Sequence, residues 1–336
     1  MIRTLTALCL AAVCATATAQ TASSTMDIVR QRGVLHCGVT PNVPGFAAPD
    51  TQGNWRGLDA DICRAVAAAF FGDPSKVRFI PTTTPQRFTM LQSGDVDLLS
   101  RATTWTLTRE SNLGLAFAGI YYYDGQAFMV RRGTPVTSAK QLDGATVCLQ
   151  PGATTERNMA DFARISGIRL IPVAMEDIEE VRAAFKAGRC DAYTTDLSSL
   201  ASFRFLQGAE ADRYVILPEV TSKEPLGPLV RKGDWKWFDL VRWTLYALVA
   251  AEELGITRAN IDSLMASDSP DIRRFVGAEG EIGASLGVDN RWAVNVIRAV
   301  GNFGEVWDRN ITPLGVQRGI NRLWTQGGLM YAPPMR

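Results

Sequence analysis

Gly57-Leu58-Asp59-Ala60-Asp61-Ile62-Cys63-Arg64-Ala65-Val66, continued through Phe70 to Gly72 and Pro74, is the stretch on which the fold turns. Leu58, Ile62, Val66 and Phe70 recur at four-residue steps, which places them on one face of a helix that Gly57 opens and Gly72 with Pro74 closes. Upstream, Val34-Leu35-His36-Cys37-Gly38-Val39 reads as a buried strand, and residues 77–80 read as another. A helix begun by Pro85 and stopped at Ser93-Gly94 then leads to the strand Val96-Asp97-Leu98-Leu99-Ser100. Strands alternating with crossover-length helices indicate parallel α/β construction, and this first unit occupies residues 27–125.

A second series of the same kind begins at Ala127-Phe128-Met129-Val130. It continues with a strand at 146–149, a helix at 154–165, a strand at 170–173, a helix carrying Ile178, Val181, Ala184 and Phe185, a strand at 191–194 and a helix from Asp196. After Pro225-Leu226-Gly227-Pro228 the chain reads as helical, with a glycine-rich surface loop at 277–287 and a last amphipathic helix at 316–324. The glycines of that loop match neither a dinucleotide fingerprint nor a phosphate-binding loop. The helix at 235–254 is broken by Asp239 and Arg242, so it is expected to face a core and not to span a membrane.

The chain has 336 residues, 35 basic and 34 acidic side chains, one histidine and six cysteines. Without an excess or block of positive charge, no nucleic-acid partner is expected. A solitary His36 excludes multi-histidine metal sites, so no metal is expected either. Arg3, an apolar run over residues 5–15 and Ala17-Thr18-Ala19 form the three parts of a signal peptide, cleaved before Gln20. That run is too short for a membrane span of about 20 residues, and Val13 and Leu8 before Cys14 and Cys9 are not the small residues that lipid attachment requires. Removing residues 1–19 leaves 34 basic against 34 acidic residues and four cysteines. Export makes disulfides available. Three pairings are open; Cys37 with Cys63 and Cys148 with Cys190 keeps each bond within one unit and is the expectation, against four buried free thiols.

The stretch Gly57 to Val66 resembles the G-[FL]-D-x-D motif of the periplasmic solute-binding proteins of polar amino acid ABC transporters. Arg87-Phe88-Thr89-Met90-Leu91-Gln92-Ser93-Gly94-Asp95-Val96-Asp97, Thr104-Trp105-Thr106-Leu107-Thr108-Arg109-Glu110 and Gly188-Arg189-Cys190-Asp191-Ala192-Tyr193-Thr194-Thr195-Asp196 extend the likeness. It is strongest to the general L-amino-acid-binding members, through residues 100–106, Tyr122-Tyr123-Asp124-Gly125-Gln126, Ser222-Lys223-Glu224-Pro225-Leu226-Gly227-Pro228 and Tyr331-Ala332-Pro333-Pro334. The order and spacing of these motifs carry the resemblance, which covers essentially the whole mature chain. It implies a type II periplasmic binding protein fold, with two α/β lobes joined by crossover segments near 123–127 and 219–226 and a C-terminal helical extension. Lobe 1 would be discontinuous, 27–125 with 226–336, and lobe 2 would span 128–222. It further implies a monomeric periplasmic receptor that captures L-amino acids and delivers them to an inner-membrane ABC permease, without cofactor or bond chemistry.

A zwitterionic amino acid needs a forked donor for its carboxylate and an acceptor for its ammonium. Arg109 is the expected carboxylate partner, following the hydroxyl-rich loop that holds Thr103 and Thr104 at a strand end, where α/β sheets bind ligands. From the other unit, the loop of Gly152, Thr154 and Thr155 opens a helix whose N–H groups would receive the same carboxylate. Asp196, at the next strand end, would accept from the ammonium. Phe46 would pack on the ligand side chain, and Arg101 would contact it or brace the hinge. Each has a plainer reading: Arg109 as a surface partner of Glu110, Asp196 and Thr154 as helix caps, Phe46 as a core or rim aromatic. Ala102 and Ala153 stand where the resembled proteins usually carry Asn and Thr, which leaves fine specificity open. The rival functions are an enzyme on the same fold, which would need a general acid or base in the cleft, and a ligand-presenting sensor.

Overall fold

The computed structural model describes residues 24–336; the expected signal peptide, with Cys9 and Cys14, lies outside them. Two five-stranded sheets dominate. One runs Val77–Pro81, Leu35–Val39, Leu98–Leu99, Leu229–Arg231, Leu115–Phe117. The other runs Ile171–Ala174, Thr146–Leu149, Ala192–Asp196, Gln126–Arg131, Tyr214–Ile216. In each, the first three strands are parallel, as the alternation with helices requires, and the fourth is antiparallel to both neighbours. The parallel construction read from the sequence holds for those three strands, and each sheet departs from it at the fourth position. Gln126–Arg131 and Leu229–Arg231 are the strands that enter a sheet directly from the opposite unit, so they run the other way.

The two passages between the sheets are themselves strands. Tyr122–Asp124 and Glu224–Leu226 pair antiparallel, with Asp124 opposite Glu224 and Tyr122 opposite Leu226. This ribbon is the mechanical joint between two α/β bodies.

The deciding stretch folds as the helix Leu58–Phe71, with Leu58, Ile62, Cys63 and Val66 buried. Gly57 is obligatory before it: its φ is 124°, and a β-carbon there would sit 2.0 Å from the carbonyl oxygen of Phe46. The helix packs between the first sheet and the helices Trp235–Glu253 and Trp292–Val300, so the C-terminal helices complete the first core. Asp61 fastens this packing by accepting from Arg309 at 2.7 Å and Asn310 at 2.8 Å. Among the described residues no helix is long and apolar enough to cross a membrane.

Two local expectations fail. Residues 316–324 form no α-helix but separate 3-10 turns, Gly319–Asn321 and Trp324–Gln326, because Gly315, Gly319 and Gly327 adopt positive φ and break any continuous helical run. There Asn321 brackets the first hinge strand, donating to the Tyr123 carbonyl at 3.1 Å and accepting from its N–H at 2.7 Å. The glycine-rich loop at 277–287 contains a short helix, Ile282–Leu286, which Asn290 holds in place through Gly277, Gly280 and Gly283.

Both expected disulfides are formed. Cys37–Cys63 ties a central strand to the deciding helix with the α-carbons 6.1 Å apart, and Cys148–Cys190 joins the second unit at 5.6 Å. Closing loops of 26 and 42 residues contributes about 3–4 kcal/mol each in the chain-entropy description. The denatured, unreduced mature protein should therefore react with no thiol reagent. Cys148→Ser/Cys190→Ser should lower the calorimetric Tm by about 5–10 °C; a change under 1 °C would show that this bond does not constrain the unfolded chain.

Candidate functional site

The cleft between the two sheets opens at the C-terminal ends of their central strands, the position where α/β sheets place ligands. Arg87, Arg101, Thr104 and Arg109 line it from the first unit, and Thr154, Thr155 and Asp196 from the second. The two walls are in contact: Thr83 donates to Glu176 at 2.7 Å, Arg182 to the Asn42 carbonyl at 2.8 Å, and Arg87 to the Gly152 carbonyl at 3.3 Å. The structure is a closed one.

Arg109 sits in the first turn of the helix Leu107–Asn112, whose cap Thr106 accepts from its N–H at 3.2 Å. One guanidinium nitrogen donates to the Thr104 carbonyl at 2.9 Å, and the group lies over the Phe88 ring. The alternative pairing with Glu110 is not seen, because that carboxylate accepts from the Trp105 indole at 2.9 Å. Arg101 is buried and braced by the Thr82 carbonyl and the Thr84 hydroxyl, at 3.0 and 2.9 Å. Burial lowers its pKa to about 10, so it stays cationic at neutral pH.

Among the described residues none of Arg87, Arg101 and Arg109 has a carboxylate within ion-pair distance. Facing them, Asp196 ends the strand Ala192–Asp196 and begins the helix Leu197–Leu206, yet its side chain makes no cap hydrogen bond. Burial first, then the charges of Asp124 and Glu224, hold its carboxyl well above the usual carboxylate range. The second wall also presents the start of the helix Thr154–Ser166, whose cap Ala153 offers no side chain to the first N–H groups. Those groups and the positive end of the helix dipole are thus available to an anion.

Three expected contacts are placed elsewhere. Phe46 is fully buried in the first core, edge-on to Tyr122, because the Gly45 turn carries it inward; it does not line the cleft. Thr103 is buried too, with its hydroxyl donating to the Arg101 carbonyl at 3.0 Å. Gly152 contributes its carbonyl to Arg87 at the junction of the walls and lines no part of the pocket. Thr154 lies in the cleft, but its hydroxyl donates to Glu224 at 2.9 Å, as does that of Thr104 at 2.5 Å.

Arg87 and Thr195, which line the cleft, and Glu224, in the hinge strand, stand in quoted motifs without an assigned role. The signal of Arg87 and Glu224 in the sequence is only a charge inside an otherwise apolar or turn-forming stretch. Asp59, in the first turn of the helix Leu58–Phe71, lies fully buried under the cleft loop, where it accepts from Ser100 at 3.2 Å, the Ala102 N–H at 3.0 Å and the Tyr121 hydroxyl. Burial pushes its pKa up to about 6 against these three donors. Ala102, which it anchors, holds a φ of 40°, a left-handed conformation that suits Asn better than Ala. His36 lies outside the cleft, with its ring against the Asp95 carbonyl at 3.3 Å. Among the described residues no cluster of three His, Cys, Asp or Glu side chains could hold a metal.

An unpaired, desolvated carboxylate beside two others costs stability that its removal returns. Asp196→Asn should raise the Tm of ligand-free protein at pH 8 by a few degrees, roughly 1 kcal/mol. A lower Tm in differential scanning calorimetry would mean that Asp196 is a structural group and not an unsatisfied one.

Residues 35–258 match the family described as bacterial extracellular solute-binding proteins, family 3. The general L-amino acid-binding periplasmic protein AapJ of Rhizobium johnstonii is 53% identical over 331 residues, 97% of each chain. The glutamate/glutamine/aspartate/asparagine-binding protein BztA of Rhodobacter capsulatus is 54% identical over 94% of each. A solved periplasmic binding protein of an ABC transporter from Brucella ovis, with glutathione bound, superposes with a TM-score of 0.91 at 52% identity, covering 94% of this chain and all of that one. With two α/β lobes, a paired-strand hinge, C-terminal helices and a charged cleft between the lobes, the chain belongs to family 3 of the bacterial extracellular solute-binding proteins.

Proposed function

We propose that this protein is a periplasmic receptor that captures L-amino acids in the interlobe cleft and hands the closed complex to an inner-membrane ABC permease. The observation that carries this reading is the pair of unmet charges across the cleft. Lobe 1 presents Arg109 with no carboxylate partner, lobe 2 presents Asp196 with no hydrogen bond of its own, and the uncapped helix start lies beside them. Buried charges persist only where something pairs them, and an α-amino acid carries the matching carboxylate and ammonium on adjacent atoms. Glutathione, held by the Brucella ovis relative, carries the same α-amino acid head on its γ-glutamyl end, in line with a site that reads the head group and tolerates different side chains.

The N-terminal segment serves as an export signal in this reading, and the mature chain acts as a monomer without cofactor or metal. No catalysis is assigned, because the single histidine does not line the cleft and the cleft carboxylate faces a positive wall suited to holding a ligand.

Isothermal titration of protein that has been unfolded, dialysed and refolded should detect binding of one or more of the twenty amino acids; silence across all of them would refute the reading. Arg109→Ala and Asp196→Ala should each weaken binding by about 100-fold or more, the cost of leaving one member of a buried charge pair alone.

The pH dependence has a definite sign. Asp196 has a raised pKa, and an ammonium partner favours its ionised form, so acidification protonates it and weakens binding. Affinity should fall from pH 7.5 to pH 5, and at pH 6 binding should release protons, seen as a calorimetric heat that varies with buffer ionisation enthalpy. Proton uptake at pH 6 would exclude Asp196 as the ammonium partner.

A further inference from the structure

Glu224 is 1% exposed, in the hinge strand Glu224–Leu226, and does not line the cleft. Its two oxygens collect four donors. One accepts from the Thr104 hydroxyl at 2.5 Å and the Thr154 hydroxyl at 2.9 Å; the other accepts from Ser222 Oγ and Asn158 Nδ2, both at 2.6 Å. Thr104 belongs to lobe 1, Thr154 and Asn158 to lobe 2, and Ser222 to the returning crossover. One carboxylate in the joint is therefore bonded to both moving bodies at once.

Four donors fill the four lone-pair positions of a carboxylate. Glu224 consequently has no capacity left for a ligand and acts through its partners. Each threonine hydroxyl has a single proton, and in the closed form both protons are committed to Glu224. What Thr104 and Thr154 turn toward the cleft they line is lone pairs. The two oxygens stand 3.5 Å apart, one from each wall.

We propose that Glu224 is a positioning residue that makes lobe closure assemble an acceptor pair, the hydroxyl oxygens of Thr104 and Thr154, selective for the ligand's amine. The inference rests on the amino-acid reading and deepens it. A group that meets two acceptor oxygens beside Asp196 must be a donor, so the ammonium goes there, and the carboxylate is left to Arg109 and the N–H groups of the helix Thr154–Ser166. The two threonine hydroxyls thus serve the ligand as acceptors and not as donors to its carboxylate. When the lobes part, Thr104 and Thr154 separate and cannot both reach one hinge oxygen, so the acceptor pair exists only in the closed protein. The amine is then read at closure, and a carboxylate alone leaves the pair unmatched.

The test uses the refolded mature protein and, as probe, the amino acid of the twenty that the wild type binds most tightly. Glu224→Gln replaces two acceptor positions by amide donors, which obliges a hydroxyl to reverse. Affinity should fall at least tenfold, and small-angle scattering at ligand saturation should show a larger radius of gyration than the liganded wild type. Thr154→Val, which leaves Glu224 and its other three donors in place, should also lose about tenfold, and Thr154→Ser should recover to within threefold of wild type; a purely structural role for the threonine methyl would not be rescued by serine. Binding by Glu224→Gln within twofold of wild type, or a serine variant as weak as the valine one, overturns the role of Glu224 while leaving the amino-acid receptor standing. Silence of the wild type toward all twenty overturns both.

Discussion

The chain passes between its two sheets twice, and those two passages are hydrogen-bonded to each other as the antiparallel pair Tyr122–Asp124 and Glu224–Leu226. Much of the architecture follows from that pairing. A strand that enters a sheet from the joint must run against the strands already there, so each lobe acquires an antiparallel fourth strand in the same place. The central parallel strands end on the side where the two lobes face each other, which makes the space beside the joint a cleft lined by strand-end loops. A two-stranded ribbon can bend without breaking its ladder, so the lobes can move as bodies about it.

The cleft is built at an energetic cost. Asp59 is kept under the loop at 100–102 by three donors while burial opposes its ionisation, and Ala102 above it holds a left-handed backbone. Across the gap, Asp196 is buried without a partner beside two further carboxylates. Strain and unmet polarity of this kind persist where the surroundings overdetermine the structure and a function uses them. Here the surroundings are the two disulfide-tied lobes and the large C-terminal helical core, which hold the strand-end loops rigid. Uncompensated charge in the cleft is then a store of binding energy for a ligand of opposite polarity.

Legibility in the sequence differed by type of feature. The helix at 58–71 and the alternating strands were readable because one-sided burial imposes a period of about four on helices and continuous apolar runs on interior strands. The disulfide pairing was readable because each α/β unit holds two cysteines and pairing within a unit uses them all. The stretch at 316–324 misled because its apolar spacing is helical while its flanking glycines choose otherwise, and it is held by Asn321 reaching a strand almost two hundred residues earlier. Phe46 misled for a similar reason: an aromatic after a strand end faces either the cleft or the core according to the turn at Gly45.

By itself, the sequence determined the α/β class, the family resemblance, the division of the four mature cysteines two to each unit and the presence of an arginine and an aspartate at strand ends, since all of these depend on residue type and position along the chain. Only the tertiary structure decided which side chains share the cleft, that Arg87 joins Arg101 and Arg109 there, and that Glu224 accepts the hydroxyl hydrogen bonds of Thr104 and Thr154. The physical reason is distance along the chain. Thr104 and Glu224 are 120 residues apart, and Thr154 and Glu224 are 70 apart. A hydrogen bond closed over such loops leaves no local pattern, and the direction in which a hydroxyl points is set by its partner and not by its own residue.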